Sequence, residues 1–483
     1  MLLDENDEAT ASGLFATYGG IFSAGYQAEV TPEVAAEDIS FLQQLSVAEP
    51  LALNLYTTEE DGEVFTCFKI FHRGRSLPLS DVIPILENMG VKCIEEHPNE
   101  LVLNGARIWV HDFVLEFTGE PKGGLSAIKG LFEDAFKEVW NAGKENDSFN
   151  RLVSSAAMNY RQVKVIRAYA RYFGQLQSSY SQAFIADCVN NYSEIASDLF
   201  ELFEQRFDPS LNRDEANEQV SLRQVAILER IDEVDNLGED RVLRRLLEMV
   251  LATQRTNFYQ RSADGGLRDC LAFKLRPTLI SEMPRPRPEF EIFIYSARVE
   301  GVHLRGGKVA RGGLRWSDRS EDYRTEVLGL VKAQQVKNSV IVPVGAKGGF
   351  LPKEIPAGAS REEITAEGVA CYRVFIQGLL DLTDNLVKGK VVPPVDVVRH
   401  DEDDYYLVVA ADKGTAAFSD IANEISISNN FWLGDAFASG GSVGYDHKAM
   451  GITARGAWIS VQQHFRDFGT NVQNTDFSVV GIG

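Results

Sequence analysis

Four short stretches in the last third of the chain carry side chains suited to chemistry on a small anion. In VPVGAKGGF, residues 342–350, Lys347 stands among Gly345, Gly348 and Gly349 directly after an apolar run. Glycines let backbone approach a ligand closely, and a lysine there can hold a carboxylate or, when neutral, accept a proton. The same nine residues also read as a strand followed by a glycine turn with a solvated lysine. In ARGGLRWSDR, 310–319, Arg311 precedes the pair Gly312 and Gly313. That pattern suits backbone brought up to a carboxylate, or a hairpin turn with a surface arginine.

Lys337 closes a helical stretch opened by Ser320, Glu321 and Asp322, so it can reach a substrate or satisfy the helix's terminal carbonyls. In YYLVVAADKGT, 405–415, an apolar strand delivers Asp412 at its carboxyl end. Ligands of open α/β sheets sit there, although capping the next helix is a competing role for the acid. Together, one acid and three long cations on glycine-flexed loops outline a cleft for a dicarboxylate with an acid–base pair inside it. Lys337 and Lys347 fall at opposite ends of a short strand, 339–344, so only a loop that folds back brings both to one substrate. A phosphate-binding NTPase is disfavoured, because GxxxxGK[ST] is not met and Gly348 follows the lysine.

The elements that must position these groups follow from periodicity. Residues 1–50 give mixed signals and stay unassigned. Over 51–125, the strand-like VFTCFKIFHRG is followed by apolar residues at helical spacing from Leu79 to Met89, then VKCIEEH and the alternating LVLNGARIWVHDFVLEF. This predicts a βαβ-type unit ending in antiparallel strands, a small α+β module. Residues 126–285 read as helical, and their aromatic stripes, as in FIADCVNNYSEIASDLFELFEQRF, read as core. The proline- and arginine-rich MPRPRPEFE, 283–291, marks a boundary, after which strands and helices alternate as in an α/β domain over 286–470. Helices are expected over 322–337 and 362–387, and strands over 339–344, 391–398 and 405–411.

Composition narrows the class. The chain has 483 residues, 44% of them apolar and 24% charged, the balance of a globular protein of several domains. With 48 basic and 70 acidic residues the net charge is −22, which argues against a nucleic-acid partner. The acidic start MLLDENDEATASG predicts neither a secretory signal nor a transit peptide, and no apolar run is long enough to span a membrane. Five widely spaced cysteines without a CxxC pair fit reduced thiols in a cytoplasm and disfavour a zinc or iron–sulfur site.

The ordered motifs GGLR, KNSVIVPVGAKGG, the strand ending in Asp412, and GGSVGYDHKAMGITARGAW resemble the glutamate dehydrogenases, in particular the large bacterial NAD-dependent type. The resemblance spans roughly 305–483, and the ACT-like 51–125 module and the helical region resemble the long amino-terminal extension of that form. It implies oxidative deamination of L-glutamate to 2-oxoglutarate and ammonia with NAD in a cytoplasmic homo-oligomer. Lys347 then matches the catalytic lysine, Asp412 the proton-shuttling aspartate and Lys337 a carboxylate-holding lysine. Arg311 stands where the small enzymes carry a lysine, and Gly312 and Gly313 complete that substrate motif. Thr453 matches a threonine near the nicotinamide.

For Lys347 the expectation is a lysine pushed toward its neutral form by neighbouring cations, able to serve as a base for water near neutral pH. The end DFSVVGIG resembles the first Rossmann strand, with Gly481 and Gly483 as cofactor-binding glycines and 471–483 as a stub of a missing nucleotide domain. The expectation is that these 483 residues alone bind NAD poorly and are inert. A non-catalytic amino-acid sensor built on the ACT-like module is the alternative from another class.

Overall fold

The computed structural model describes residues 7–60, 62–334, 344–411, 416–438 and 447–480. Their contacts divide the chain into two units, one of residues 1–254 with 278–285, the other of 255–277 with 286–483.

The first unit opens with three helices, α1 (Glu8–Tyr18), α2 (Ala24–Glu29) and α3 (Pro32–Gln44). A four-stranded sheet follows, built from β1 (Leu51–Glu60), β2 (Glu63–Arg73), β3 (Val91–Leu103) and β4 (Ala106–Phe117), with α4 (Leu79–Asn88) between β2 and β3. Its order is β1-β2-β4-β3 and every pairing is antiparallel. β2 and β3 both run antiparallel to β4, which lies between them, so they are parallel to each other and the helix joins them as the expected βαβ-type unit, with LALNLYTTEE as an additional strand on the β2 edge. Asn104 (φ 50°) and Gly105 (φ 78°) form the β3–β4 turn, where both central residues adopt the positive φ that lets a two-residue turn follow the strand twist.

Alternation along β2 sends Phe68 to one face and Phe71 to the other. Phe68 meets Phe132 and Phe136 of α5 (Leu125–Ala142), ring centroids 5.4 and 5.3 Å away. Phe71 joins Ile108 and Val110 in a core closed by Tyr26, Ile39 and Leu42 of the opening helices. Helices α6 (Tyr160–Gly174), α7 (Gln182–Asn191), α8 (Ser193–Phe207), α9 (Arg213–Asp232) and α10 (Leu237–Ala252) form the helical part. The α8 stripe Phe200, Phe203 and Phe207 is buried, as its spacing requires. The helical spacing, which in the sequence runs to about 260 within the 126–285 region, ends at Ala252, because the next residues turn to strand.

The second unit holds a seven-stranded mixed sheet. Its strands are β5 (Thr253–Thr256), β6 (Leu271–Leu275), β7 (Phe290–Tyr295), β8 (Val299–Arg305), β9 (Ala310–Arg311), β10 (Leu314–Trp316) and β11 (Val344–Pro352). The order is β10-β11-β8-β7-β6-β5, with β9 also on β11. Strands β6, β7, β8 and β11 pair antiparallel in sequence, whereas β9 and β10 run parallel to β11. Helices α11 (Tyr323–Gln334), α12 (Arg361–Asp381), α13 (Ala416–Ser428) and α14 (Ile452–Asp467) complete it, with β12 (Asn385–Val387) and β13 (Lys390–Val392) as a small hairpin. The expected helix to 387 thus stops at Asp381, the strand expected over 391–398 is confined to β13, and 405–411 is extended chain with one bridge at Ala411. No helix among the described residues is long and apolar enough to cross a membrane.

Candidate active site

Lys347 lies inside β11, not on a loop after a strand, and is 5% exposed. It pairs with Leu304 of β8, which pairs with Glu291 of β7, so register sets these three residues on one face of the sheet. On that face Glu291 accepts two hydrogen bonds of 2.7 Å from the Arg324 guanidinium of α11, and both side chains are fully buried. The expectation of a flexed loop fails because the glycines pack. A Cβ on Gly348 would stand 2.5 Å from Leu314 Cδ2, and one on Gly349 2.6 Å from Val327 Cγ2 of α11.

Arg311 pairs with Gly345, two residues before Lys347 on β11, and two residues along a strand restore the same face. Its side chain is exposed and makes no ion pair among the described residues. Gly312 serves backbone packing: a Cβ there would lie 1.4 Å from the Ala346 carbonyl oxygen, so only glycine fits. Gly313 contributes its carbonyl, which accepts the Gly348 N–H at 3.2 Å. The pair therefore joins the Arg311 segment to the Lys347 strand, where sequence alone suggested backbone approaching a ligand.

Asp412, Lys337, Gly481 and Gly483 lie outside the described residues. The chain just ahead of Asp412 is described. Ala411 bridges Leu314 in parallel, Leu314 donates its N–H to the Ala410 carbonyl at 2.7 Å, and Leu314 in turn pairs with Gly348. Ala411 donates its own N–H to the hydroxyl oxygen of the buried Tyr372 on α12, 2.9 Å away. Thr453 is exposed in the first turn of α14, a helix with no buried residue, and nothing among the described residues ties it to β11.

The sequence profile of the bacterial NAD-glutamate dehydrogenase catalytic domain matches residues 226–483, more than half of the chain. The chain belongs to this family. Glutamate dehydrogenase profiles also match residues 1–45 (helical motif 2), 50–128 (ACT3 domain) and 144–209 (helical motif 3). An NAD-specific glutamate dehydrogenase of Halomonas elongata is 53% identical over 477 residues, 99% of this chain and 29% of the relative. One from Pseudomonas aeruginosa is 52% identical over 486 residues, 100% of the chain and 30% of the relative. One from Mycobacterium tuberculosis is 48% identical over 482 residues, 96% and 29%. The chain thus spans under a third of the length of these glutamate dehydrogenases.

Sequence reading missed the buried charges that hold the segment leading to Ala411 in the second unit. RHDEDDYY, 399–406, has the look of a solvated acidic run, yet Asp404 is 3% exposed. Its carboxylate accepts from Lys274 Nζ at 2.5 Å and from Arg305 Nη1 at 3.0 Å. Arg255 binds Asp384 at 2.9 Å and Asp401 at 2.6 Å, and Arg305 also donates to the Tyr406 carbonyl at 3.1 Å. Burial pushes the Asp404 carboxyl upward, but Arg305 and Lys274 together outweigh it and hold the group well below the usual carboxylate range. His303 is fully buried on β8 opposite Gly348, and burial, reinforced by Arg305, pushes it down to about 3, so this imidazole is neutral. The one sequence signal for the network was Lys274 in the otherwise apolar strand LAFKL, where an unpaired charge is prohibitive.

Proposed function

We propose that this chain carries the glutamate-handling residues of an NAD-dependent glutamate dehydrogenase, which oxidatively deaminates L-glutamate to 2-oxoglutarate and ammonia. The observation that supports it is the register across β11, β10 and the extended segment that ends at Ala411. Gly348, next to Lys347, aligns with Leu314, and Leu314 aligns with Ala411, next to Asp412. Neighbouring extended segments stand about 4.8 Å apart, so the backbone at Gly348, next to Lys347, is roughly 10 Å from that at Ala411, a separation that two side chains and a small substrate can span.

In this reading the Arg311 guanidinium binds one substrate carboxylate, its planar fork matching the two oxygens, while Lys337 holds the other. Gly312 and Gly313 fix Arg311 relative to β11. Lys347, nearly removed from solvent, takes a proton from the water that attacks the imine carbon, and Asp412 carries protons to and from the nitrogen as ammonia leaves. Holding both carboxylates orients Cα–H for removal. NAD as acceptor, Thr453 beside it and glycines 481 and 483 beneath it rest on the family alone. So do homo-oligomeric assembly and a cytoplasmic setting, with which the five free cysteines are consistent. A purely regulatory amino-acid sensor is disfavoured, because the catalytic-domain match covers the whole second unit.

The test is substitution in the full-length enzyme. Lys347→Ala and Asp412→Asn are each expected to lower kcat by about 10²-fold to 10⁴-fold, the range for removing a positioned acid or base, with the circular-dichroism spectrum unchanged. Near-normal turnover in either variant would remove that residue from the mechanism.

A further inference from the structure

The helical part of the first unit contains a cleft of about 340 Å³ that the glutamate chemistry does not use. It lies where the end of α6 and the start of α10 meet the turn at 278–285, and three arginines of α10 line it: Arg241, Arg244 and Arg245. Two glutamates, Glu248 and Glu282, are the acids on its wall. Cations therefore outnumber anions locally, in a chain whose net charge is −22.

The three arginines are held in different ways. Arg245 is 9% exposed, its guanidinium stacks on Phe173 at 5.5 Å, and it pairs with Glu248 at 3.2 Å and Glu282 at 2.9 Å. Arg244 is turned to Asp240 at 2.9 Å and Asp232 at 2.5 Å, neither of which lines the cleft. Arg241 is exposed and makes no ion pair among the described residues. A fixed guanidinium beside an uncommitted one is the arrangement that binds an oxyanion, since each presents parallel N–H donors to two oxygens.

Glu282 bears on this. Its side chain is 85% exposed, Arg245 is the partner that holds it over the cleft among the described residues, and its backbone sits at φ 53°, a conformation that costs a non-glycine residue energy. Across the cleft Gln177 is likewise left-handed, at φ 60°. An exposed carboxylate on a strained turn, bound to the cleft's most buried cation, occupies the place an external oxyanion would take.

We propose that this cleft binds a small metabolite through one carboxylate or phosphate group, seated between Arg241 and Arg245, and that Glu282 is the internal group it displaces. The proposal does not depend on the roles of Lys347 and Asp412.

Isothermal titration of the 483-residue chain with inorganic phosphate and, separately, with succinate, at constant ionic strength set with sodium chloride, tests it. Saturable binding of at least one probe is expected, and the probe that binds more tightly identifies the group. Arg241→Ala, which removes an exposed side chain and should leave the melting temperature unchanged, is expected to weaken binding about tenfold, the scale of one charge-assisted pair. Glu282→Gln removes the competitor and is expected to tighten it. Absence of saturable binding for both probes, or an affinity that neither substitution changes, would overturn the proposal.

Discussion

In the first unit Lys69 is a single buried cation between two carboxylates, Asp38 at 2.8 Å and Asp112 at 3.7 Å, with Tyr26 and Tyr56 donating to those acids. In the second unit Arg255, Lys274 and Arg305, joined by the partly exposed Arg399, meet Asp384, Asp401 and Asp404 so that every acid has at least one cation, and backbone joins them: Asp404 donates its N–H to Asp384, and Asp384 donates its N–H to the Asp404 carbonyl. The outcomes differ in sign. Burial pushes the Asp112 carboxyl above its usual range more than Lys69 pulls it down, whereas cations hold Asp404 well below that range. The comparison teaches that burial alone does not decide ionisation. Where every acid has a cation the charge survives the low dielectric, and where one cation serves two acids a proton becomes the cheaper partner.

Breaking the balanced cluster should have the largest effect. Arg305→Met leaves Asp404 short of its strongest partner inside the protein and is expected to cost roughly 3–5 kcal/mol, read as a drop in the denaturant midpoint of the second unit. Lys69→Met strands two acids in the first unit, but Asp112, whose carboxyl burial already holds above its usual range, can take up a proton. Its cost is expected to be smaller, roughly 2–3 kcal/mol at neutral pH, and to shrink on acidification. Equal losses at pH 7 and pH 5 would contradict the distinction.

Acid alone should separate the two units. An acid whose folded pKa is depressed stabilises above its unfolded value, about 3.9, and that stability is lost as pH falls through and below it, so the Asp404 cluster loosens there. Asp112 has a raised folded pKa, so between that value and about 3.9 the folded state binds the extra proton and stability rises as pH falls. Hydrogen exchange followed peptide by peptide from pH 6 to pH 3 should show peptides around Asp404 losing protection before those around Asp112. The reverse order would mean that the cation balance does not govern either cluster. The smallest effect is expected from Asp112→Asn, which removes the excess charge and keeps an oxygen for the Tyr56 hydroxyl. It should change stability at pH 7 by about 1 kcal/mol or less, toward greater stability.

Much of the architecture was legible because local periodicity expresses it. The alternation in LVLNGARIWVHDFVLEF gave strands, and the aromatic spacing in α8 gave a buried stripe, as Phe200, Phe203 and Phe207 show. The change of pattern near MPRPRPEFE suggests a boundary, whereas by contacts 255–277 groups with 286–483, which no change of composition announces. Lys347 was legible as a candidate through its motif and misplaced in its element. Three glycines near a lysine suggest a loop, but Gly348 and Gly349 are small so that Leu314 and Val327 can close on β11. The acidic run before Tyr405 was unreadable for a similar reason: Arg399 pairs with Asp403 locally, but the buried partners Arg255, Lys274 and Arg305 lie about 100 to 150 residues earlier in the chain.

By itself the sequence determined which segments are amphipathic, where two strands can turn at Asn104 and Gly105, and which ordered motifs mark the family, because each of these is a property of near neighbours along the chain. Tertiary structure alone decided which face Lys347 shares with Glu291, why Gly312 must lack a side chain, and whether a buried carboxylate finds one cation or half of one. Strand pairing and charge burial join residues that are remote in sequence, and their free energies exist only once those residues are brought together.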